Sequence, residues 1–319
     1  MGYIYTKSGK LAKRLYFGAV LLFEGLYYTF KNRVLADGGT FVENELPTIS
    51  QDASLVLTPN AYKAGKLYSA VPNDGTGDFI VDRNSTATYV GQDGLIKTAL
   101  ANVPRIDWRT GVPVILRGLQ RTNLIEYSED FSNAAYVTKI NPIYNILDHE
   151  GGFTAINVTS DTANQNVFRH DNIVIDDGLI YTSSVYVKRV TGSGTILMAN
   201  ILNIIVDITS QVLDDGKYHK VEVIRLSNRT DAFFYILLDT IGDSIDICFC
   251  QLEQGSTASS YIPTNGTTVT RLADNISVPT PAVVTSITET KNGVEQTPIT
   301  TIPTTYSLPV GNINKVTML

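Results

Sequence analysis

Cysteine is nearly absent: Cys248 and Cys250 are the only two in 319 residues. Separated by one residue, they should share one face of a strand, and a bridge between such near neighbours has poor geometry. No disulfide framework is therefore expected, which fits assembly in a reducing cytoplasm. Histidine is scarce as well. His149, His170 and His219 fall in no metal-binding spacing. The chain has no His-Glu-x-x-His, no Cys-x-x-Cys, no Gly-x-x-x-x-Gly-Lys and no Gly-x-Ser-x-Gly, so none of those routes to metal, nucleotide or serine chemistry is open. No cofactor and no catalytic residue is expected, and the chain reads as a non-enzyme.

Charge is sparse. Charged residues make up 18% of the chain, below the ~25% of an average globular protein. The formal net charge of −6 argues against nucleic acid as a partner. Long apolar runs are missing too. The longest, from Leu15 to Leu26, is broken by Glu24 and falls short of the ~20 residues that a membrane helix needs. No small-residue cleavage site follows it. Neither a membrane span nor an export signal is expected.

What remains is rich in strand formers. Hydrophobic residues make up 43%, and there are 17 Tyr against 11 Phe and one Trp. Tyr, Thr and Val suit half-buried strands. The pattern divides the chain into four parts. Residues 1–55 form an N-terminal segment holding the apolar run and the turn Asp37-Gly38-Gly39. Residues 56–135 read as an extended, turn-rich arm that buries little by itself. Residues 136–275 show strand-length apolar runs between polar turns: Phe153 to Val158, Tyr181 to Val187, Thr195 to Ala199, Ile201 to Ile208, His219 to Leu226, Phe233 to Leu238 and Ile245 to Leu252. Many short strands with no helical stretch between them predict a β-sandwich or jelly roll. Residues 276–319 read as a short β tail, restricted to edges and extended chain by Pro298, Pro303 and Pro309. The fold class is thus mostly β.

Aromatic side chains are the main functional candidates. Tyr144, Phe168, Tyr186, Tyr218 and Tyr235 lie on or near strands of the sandwich. Sugar binding uses a flat apolar ring with a few polar side chains beside it. The same rings could equally pack in a core or against another subunit. Asp176-Asp177-Gly178 and Asp214-Asp215-Gly216 could offer oxygens to calcium, but each is also an ordinary turn, and no metal site is assigned.

Four stretches carry a family likeness. The first runs from Ala53 through Leu55-Val56-Leu57-Thr58-Pro59-Asn60-Ala61-Tyr62 to Ser69. The second is Arg83-Asn84-Ser85-Thr86-Ala87-Thr88-Tyr89-Val90 with Asp93-Gly94-Leu95-Ile96. The third is Gln120-Arg121-Thr122-Asn123-Leu124-Ile125 with Ser128 to Asn133. The fourth is Gln251-Leu252-Glu253 with Ser259-Ser260-Tyr261-Ile262-Pro263-Thr264 and Val269-Thr270-Arg271. In this order they resemble bacteriophage virion proteins, fibres and decorations, common in phages of Bacteroidetes-like hosts. The part between the last two stretches is similar to carbohydrate-binding-module jelly rolls. The tail Thr297 to Pro303 also resembles termini of such phage proteins. Family members often carry Trp where this chain has Tyr136.

The resemblance implies a structural protein of a phage particle, assembled in the host bacterial cytoplasm. It implies a homotrimer, most simply a head fibre or capsid decoration protein, bound to other virion proteins of capsid or tail and touching carbohydrate. A tail-fibre adhesin and a glycan-depolymerising enzyme are the alternatives. On this reading the N-terminal segment docks to the virion. Lys10, Lys13 and Arg14 would pair with carboxylates of the partner, and Leu21, Leu22 and Phe23 would bury apolar surface.

Overall fold

The computed structural model describes the backbone of Asn32–Leu35 and Phe41–Asn44, and residues 52–319 except 73–74 and 202–204. The proposed docking residues Lys10, Lys13, Arg14, Leu21, Leu22 and Phe23 lie outside the described residues. Residues 1–51 and 52–319 are separate compact units. In the first, Asn32–Leu35 pairs antiparallel with Phe41–Asn44. No α-helix occurs among the described residues. No described helix is long and apolar enough to cross a membrane.

The larger unit is centred on a jelly-roll β-sandwich. Its strands are β1 (Tyr136–Lys139), β2 (Ile143–Ile146), β3 (Ala155–Thr159), β4 (Gln165–Val174), β5 (Ile180–Thr191), β6 (Ile196–Ala199), β7 (Val206–Asp207), β8 (His219–Leu226), β9 (Asp231–Leu238) and β10 (Ser244–Gln254). The front sheet has five strands in the order β2-β3-β10-β5-β8; the back sheet has five in the order β1-β4-β9-β6-β7. All of these pairings are antiparallel.

Alternation along the strands explains the core. On β9, Ala232, Phe234, Ile236 and Leu238 point inward and are wholly buried. Ile156 and Val158, Val185 and Val187, Val221 and Val223, and Ile245 and Ile247 face them from the front sheet. Phe168, a candidate sugar platform by sequence, is wholly buried in this core. It packs edge-on against Phe131 and Phe234, with centroids at 5.4 and 6.2 Å. Its inward parity, not its residue type, removes it from any binding surface. Tyr136, at the position where the resembled family often has Trp, is also a core ring; its hydroxyl donates to the Tyr127 carbonyl at 2.6 Å.

Cys248 and Cys250 do not share a face, contrary to the alternation expected from their spacing. Tyr186 pairs with Cys248 while Ser184 pairs with Gln251, so β10 holds one extra residue there. Phe249 is that bulge, with φ at +59°. The bulge reverses the parity of everything beyond it. Cys250 joins the sandwich core, whereas Cys248 joins a second cluster with Tyr186, Phe249 and Tyr261.

The turn-rich segment and the C-terminal tail also depart from expectation. The arm does bury apolar surface, and the tail of the same chain is its partner. Leu55–Leu57 pairs with Gly311–Met318, which also pairs with Val114–Arg117 and Ile287–Lys291. Leu55, Leu57, Ile115, Ile287, Ile313, Val316 and Met318 are wholly buried together. The strand Asn275–Pro279 likewise pairs with Ile80–Asp82 and Thr305–Ser307. Strands from the two ends of the unit thus complete each other.

The joint between this smaller core and the sandwich is polar and densely hydrogen-bonded. Both oxygens of buried Asp274 are held, one by Arg83 and the other by Arg105 and the Gly118 N–H. Burial pushes the Asp274 carboxyl up, but Arg105 and these hydrogen bonds outweigh it and hold it below its ordinary value. Asn123, wholly buried, donates to the carbonyls of Cys250 and Ile262 and accepts from the N–H groups of Ile125 and Leu252. Ser128 bonds the Tyr261 hydroxyl at 2.6 Å, and Thr88 donates to the Tyr261 carbonyl. Three of the four stretches that carry the family likeness meet in this joint.

Candidate functional site

The front sheet's outer face is covered at one end and changes character at the other. Near the end of β10, Gln251 and Glu253 are roofed by the chain that follows. Ile262 N–H donates to Gln251 Oε1 and Ser259 N–H to Glu253 Oε1, both at 2.7 Å. Further along, Tyr186, Cys248 and Phe249 lie under Ile96 and Tyr261, with Phe249 stacked on Tyr261 at 4.6 Å. Beyond that lies a row of polar side chains.

Register builds the row. Asn157 of β3 pairs with Asp246 of β10, and Asp246 pairs with Lys188 of β5. Even spacing from these pairs keeps their side chains on the outer face. Asn157 Nδ2 donates to Asp246 Oδ1 at 2.7 Å and to Ser244 Oγ at 2.9 Å. Thr159 Oγ1 also bonds Ser244 Oγ at 2.9 Å. Lys188 Nζ sits 2.7 Å from Asp246 Oδ2 and 5.0 Å from the Tyr218 ring centroid. Each polar group is held by its neighbours: Asn157, Ser244 and Asp246 are buried and fix the half-buried Lys188 and Thr159, which form the accessible edge of the row, so little ordering is needed on binding.

Aromatic groups close the row on one side. Tyr218, half-buried, donates its hydroxyl to the Leu147 carbonyl at 2.8 Å. His149 lies 6.0 Å from Tyr218 and 5.0 Å from Tyr186, centroid to centroid. Burial pushes the His149 imidazole below its ordinary value, and neighbouring Asp148 only partly offsets this, which favours a neutral ring. Burial raises the Tyr186 hydroxyl to about 12 and also raises that of Tyr218. The loop from Leu147 is shaped by Asp148, whose carboxylate accepts from the N–H groups of Glu150, Gly152 and Thr154. That loop and edge strand β2 expose Ile143, Tyr144, Leu147 and Phe153, the last at 65%. Such apolar residues beside a preorganised polar row are the composition of a ligand-binding surface.

The five aromatic candidates therefore separate. Tyr186 and Tyr218 come together around His149, with Tyr186 buried beneath. Tyr144 is exposed on the neighbouring edge strand. Phe168 is core. Tyr235 lies on the outer side of the back sheet but is sealed, at 7% exposure, by stacking on Phe233 at 5.5 Å. Arg169 and Arg229 cover Phe233 at 5.8 and 5.7 Å, each tethered by its own carboxylate, Asp171 and Asp231. Asn157 opens an Asn-x-Thr sequon, but nothing in the sequence connects it with Lys188 and Asp246; only strand register joins them. Phe153 had a weak signal, an aromatic residue directly after the Gly151-Gly152 turn. Among the described residues no group of three His, Cys, Asp or Glu side chains is placed to hold a metal.

No family model and no curated protein matches the chain. Among solved structures, part of it is similar to the CBM22-1 xylan-binding domain of Paenibacillus barcinonensis Xyn10C: 13% identity, 45% of this chain against 99% of that one, TM-score 0.32. The CBM22-1–CBM22-2 tandem of the same protein gives 10% identity, 61% of this chain and 89% of that one, TM-score 0.33. The C-terminal domain of EclA, a sugar-binding protein, gives 8% identity, 31% and 76% coverage, TM-score 0.26. These scores are low, and the site's own geometry carries the functional reading.

Proposed function

We propose that this chain is a structural and attachment component of a bacteriophage particle, a trimeric head fibre or capsid decoration protein whose sandwich holds glycans of the host or mucosal surface. The observation that carries glycan binding is the Asn157–Asp246–Lys188 row, with the Lys188 ammonium over the Tyr218 ring, exposed Ile143 paired to Asn157, and Tyr144 and Phe153 exposed on the same edge strand and the loop that follows it. The action is passive: hydroxyl groups of a sugar meet fixed polar partners while its apolar face lies against a ring.

The particle role is supported by the four ordered sequence stretches. The trimer draws no support from the turn-rich segment, because that segment finds its partner within the chain. What remains for docking is the N-terminal run with Lys10, Lys13 and Arg14. Deleting residues 1–30 should leave the sandwich folded and strip the protein from purified particles, as read by mass spectrometry of the particle. Normal incorporation of the truncated chain would contradict this. Glycan binding is tested by presenting host surface polysaccharides to the full chain and to Lys188→Ala. Binding that is lost in the variant supports the site; equal binding counts against it.

A further inference from the structure

A cleft lies away from the polar row, at the end of the sandwich where β5 begins and β10 ends. Its volume is about 580 Å³, within the ~300–1,000 Å³ of small-molecule sites. Arg121, Leu124, Ile175, Asp176, Tyr181 and Gly255 are among its walls. Along β5, Tyr181 and Lys188 are seven residues apart, or roughly 23 Å at about 3.3 Å per residue. A small ligand in one place does not reach the other.

The Arg121 guanidinium is built into this cleft. It lies flat against Gly255, where a Cβ would stand 2.8 Å from Nη2 and 3.1 Å from Cζ, and where φ is +141°. Glycine is needed there on both counts. From behind, the wholly buried Glu253 carboxylate approaches Nε at 3.4 Å, and Nη1 donates to the Gln120 carbonyl at 3.1 Å. The Nη2 donors make no hydrogen bond among the described residues. Asp176 is exposed, and its carboxylate takes no ion pair among the described residues. Its N–H donates to the buried Tyr181 hydroxyl at 2.9 Å, which fixes the backbone that carries it. Leu124 and the buried Ile175 add apolar wall.

The charges select the ligand. The Nη2 donors of Arg121 and the free carboxylate of Asp176 together suit groups that both accept and donate, which are hydroxyls. Glu253 already offsets Arg121, and Asp176 adds a further negative charge, so an anion gains little here. We propose that this cleft is a second saccharide site, taking the end of a neutral sugar whose adjacent hydroxyls bridge Arg121 and Asp176. It rests on this geometry alone and stands independently of the front-face row.

The test uses the full chain and isothermal titration with lactose, maltose, cellobiose and N,N′-diacetylchitobiose, with sialyllactose as the anionic comparison. At least one neutral disaccharide should bind. Asp176→Asn, at an exposed position that leaves the fold intact, should weaken it about tenfold, the loss expected for a hydrogen bond to a charged group, and should improve sialyllactose relative to it. Arg121→Gln should show the same loss for the neutral sugar. If Arg121→Gln lowers the melting temperature, Asp176→Asn decides alone. The proposal is overturned if no neutral disaccharide binds, if Asp176→Asn binds as the native chain does, or if the native chain prefers sialyllactose.

Discussion

Cys248 and Cys250 sit on opposite faces of β10, with Phe249 between them in the left-handed region. The bulge places one thiol in the sandwich core and the other beneath Ile96 and Tyr261, and burial raises both thiols well above their ordinary range. Thiolate is the reactive form. Neither cysteine should react with a thiol reagent in the native protein, and both should react once it is denatured. Rapid labelling of either in native buffer would contradict the buried bulge.

The bulge residue itself should matter for stability. Phe249 stacks on Tyr261 and packs edge-on against Tyr186 at 5.9 Å. Phe249→Ala removes these contacts and should cost about 3–5 kcal/mol, the usual range for deleting a core aromatic ring. Urea denaturation measures this, and a loss under about 1 kcal/mol would show that the ring is not packed as described.

The joint between the two cores depends on one carboxylate. Asp274→Asn leaves the buried Arg83 and Arg105 without their counter-charge. Breaking a buried pair by removing one partner costs about 3–5 kcal/mol. Thermal denaturation should therefore begin at a lower temperature in Asp274→Asn. A native-like melt would place the joint's stability elsewhere.

Stability should also fall in mild acid through His170. Its ring packs edge-on against Tyr136 at 4.9 Å, and both ring nitrogens are buried without a hydrogen-bond partner. Burial lowers its value below the ordinary 6.5, against the opposing pull of nearby Asp171 and Glu126. The unfolded chain therefore takes up the proton first. His170's contribution to stability is complete above pH 6.5 and is lost as the pH falls from there towards the folded-state value. Urea midpoints at about pH 8 and pH 5 should differ more for the native chain than for His170→Phe, which keeps a ring and cannot titrate. Equal differences would contradict this role.

Much of the sandwich was legible because its strands read as strand-length apolar runs between polar turns. His219 to Leu226 is a strand with those bounds, and the run from Phe233 to Leu238 forms most of β9. Apolar residues on both faces of β9 were visible too. The structure explains them: one face enters the core and the other carries the sealed Phe233–Tyr235 stack. Strand β4 was missed because Arg169, His170, Asp171 and Asn172 interrupt its apolar residues. The bulge was invisible because nothing in Phe249 marks a positive φ. Pairing of Leu55–Leu57 with the C-terminal strand was invisible because local pattern carries no information on distant partners.

The candidate site shows the same division. Tyr144 and Tyr218 were readable as aromatic residues near strands, but parity sent Phe168 inward, and stacking sealed Tyr235. The polar row depends on register across three strands, and sequence spacing alone does not reveal register.

The most direct test of the account is titration of a host-surface glycan into two full-length proteins, both carrying Asp176→Asn to weaken the cleft equally. One is otherwise native; the other also carries Lys188→Ala and Phe153→Ala, at positions where the side chains are partly or largely exposed. If the front-face row holds the glycan, the first should bind and the second should bind at least about tenfold more weakly, a loss of ~1.4 kcal/mol, while its circular dichroism spectrum stays that of the folded protein. Equal affinity in the two proteins, or no binding by the first to any host glycan, would contradict it.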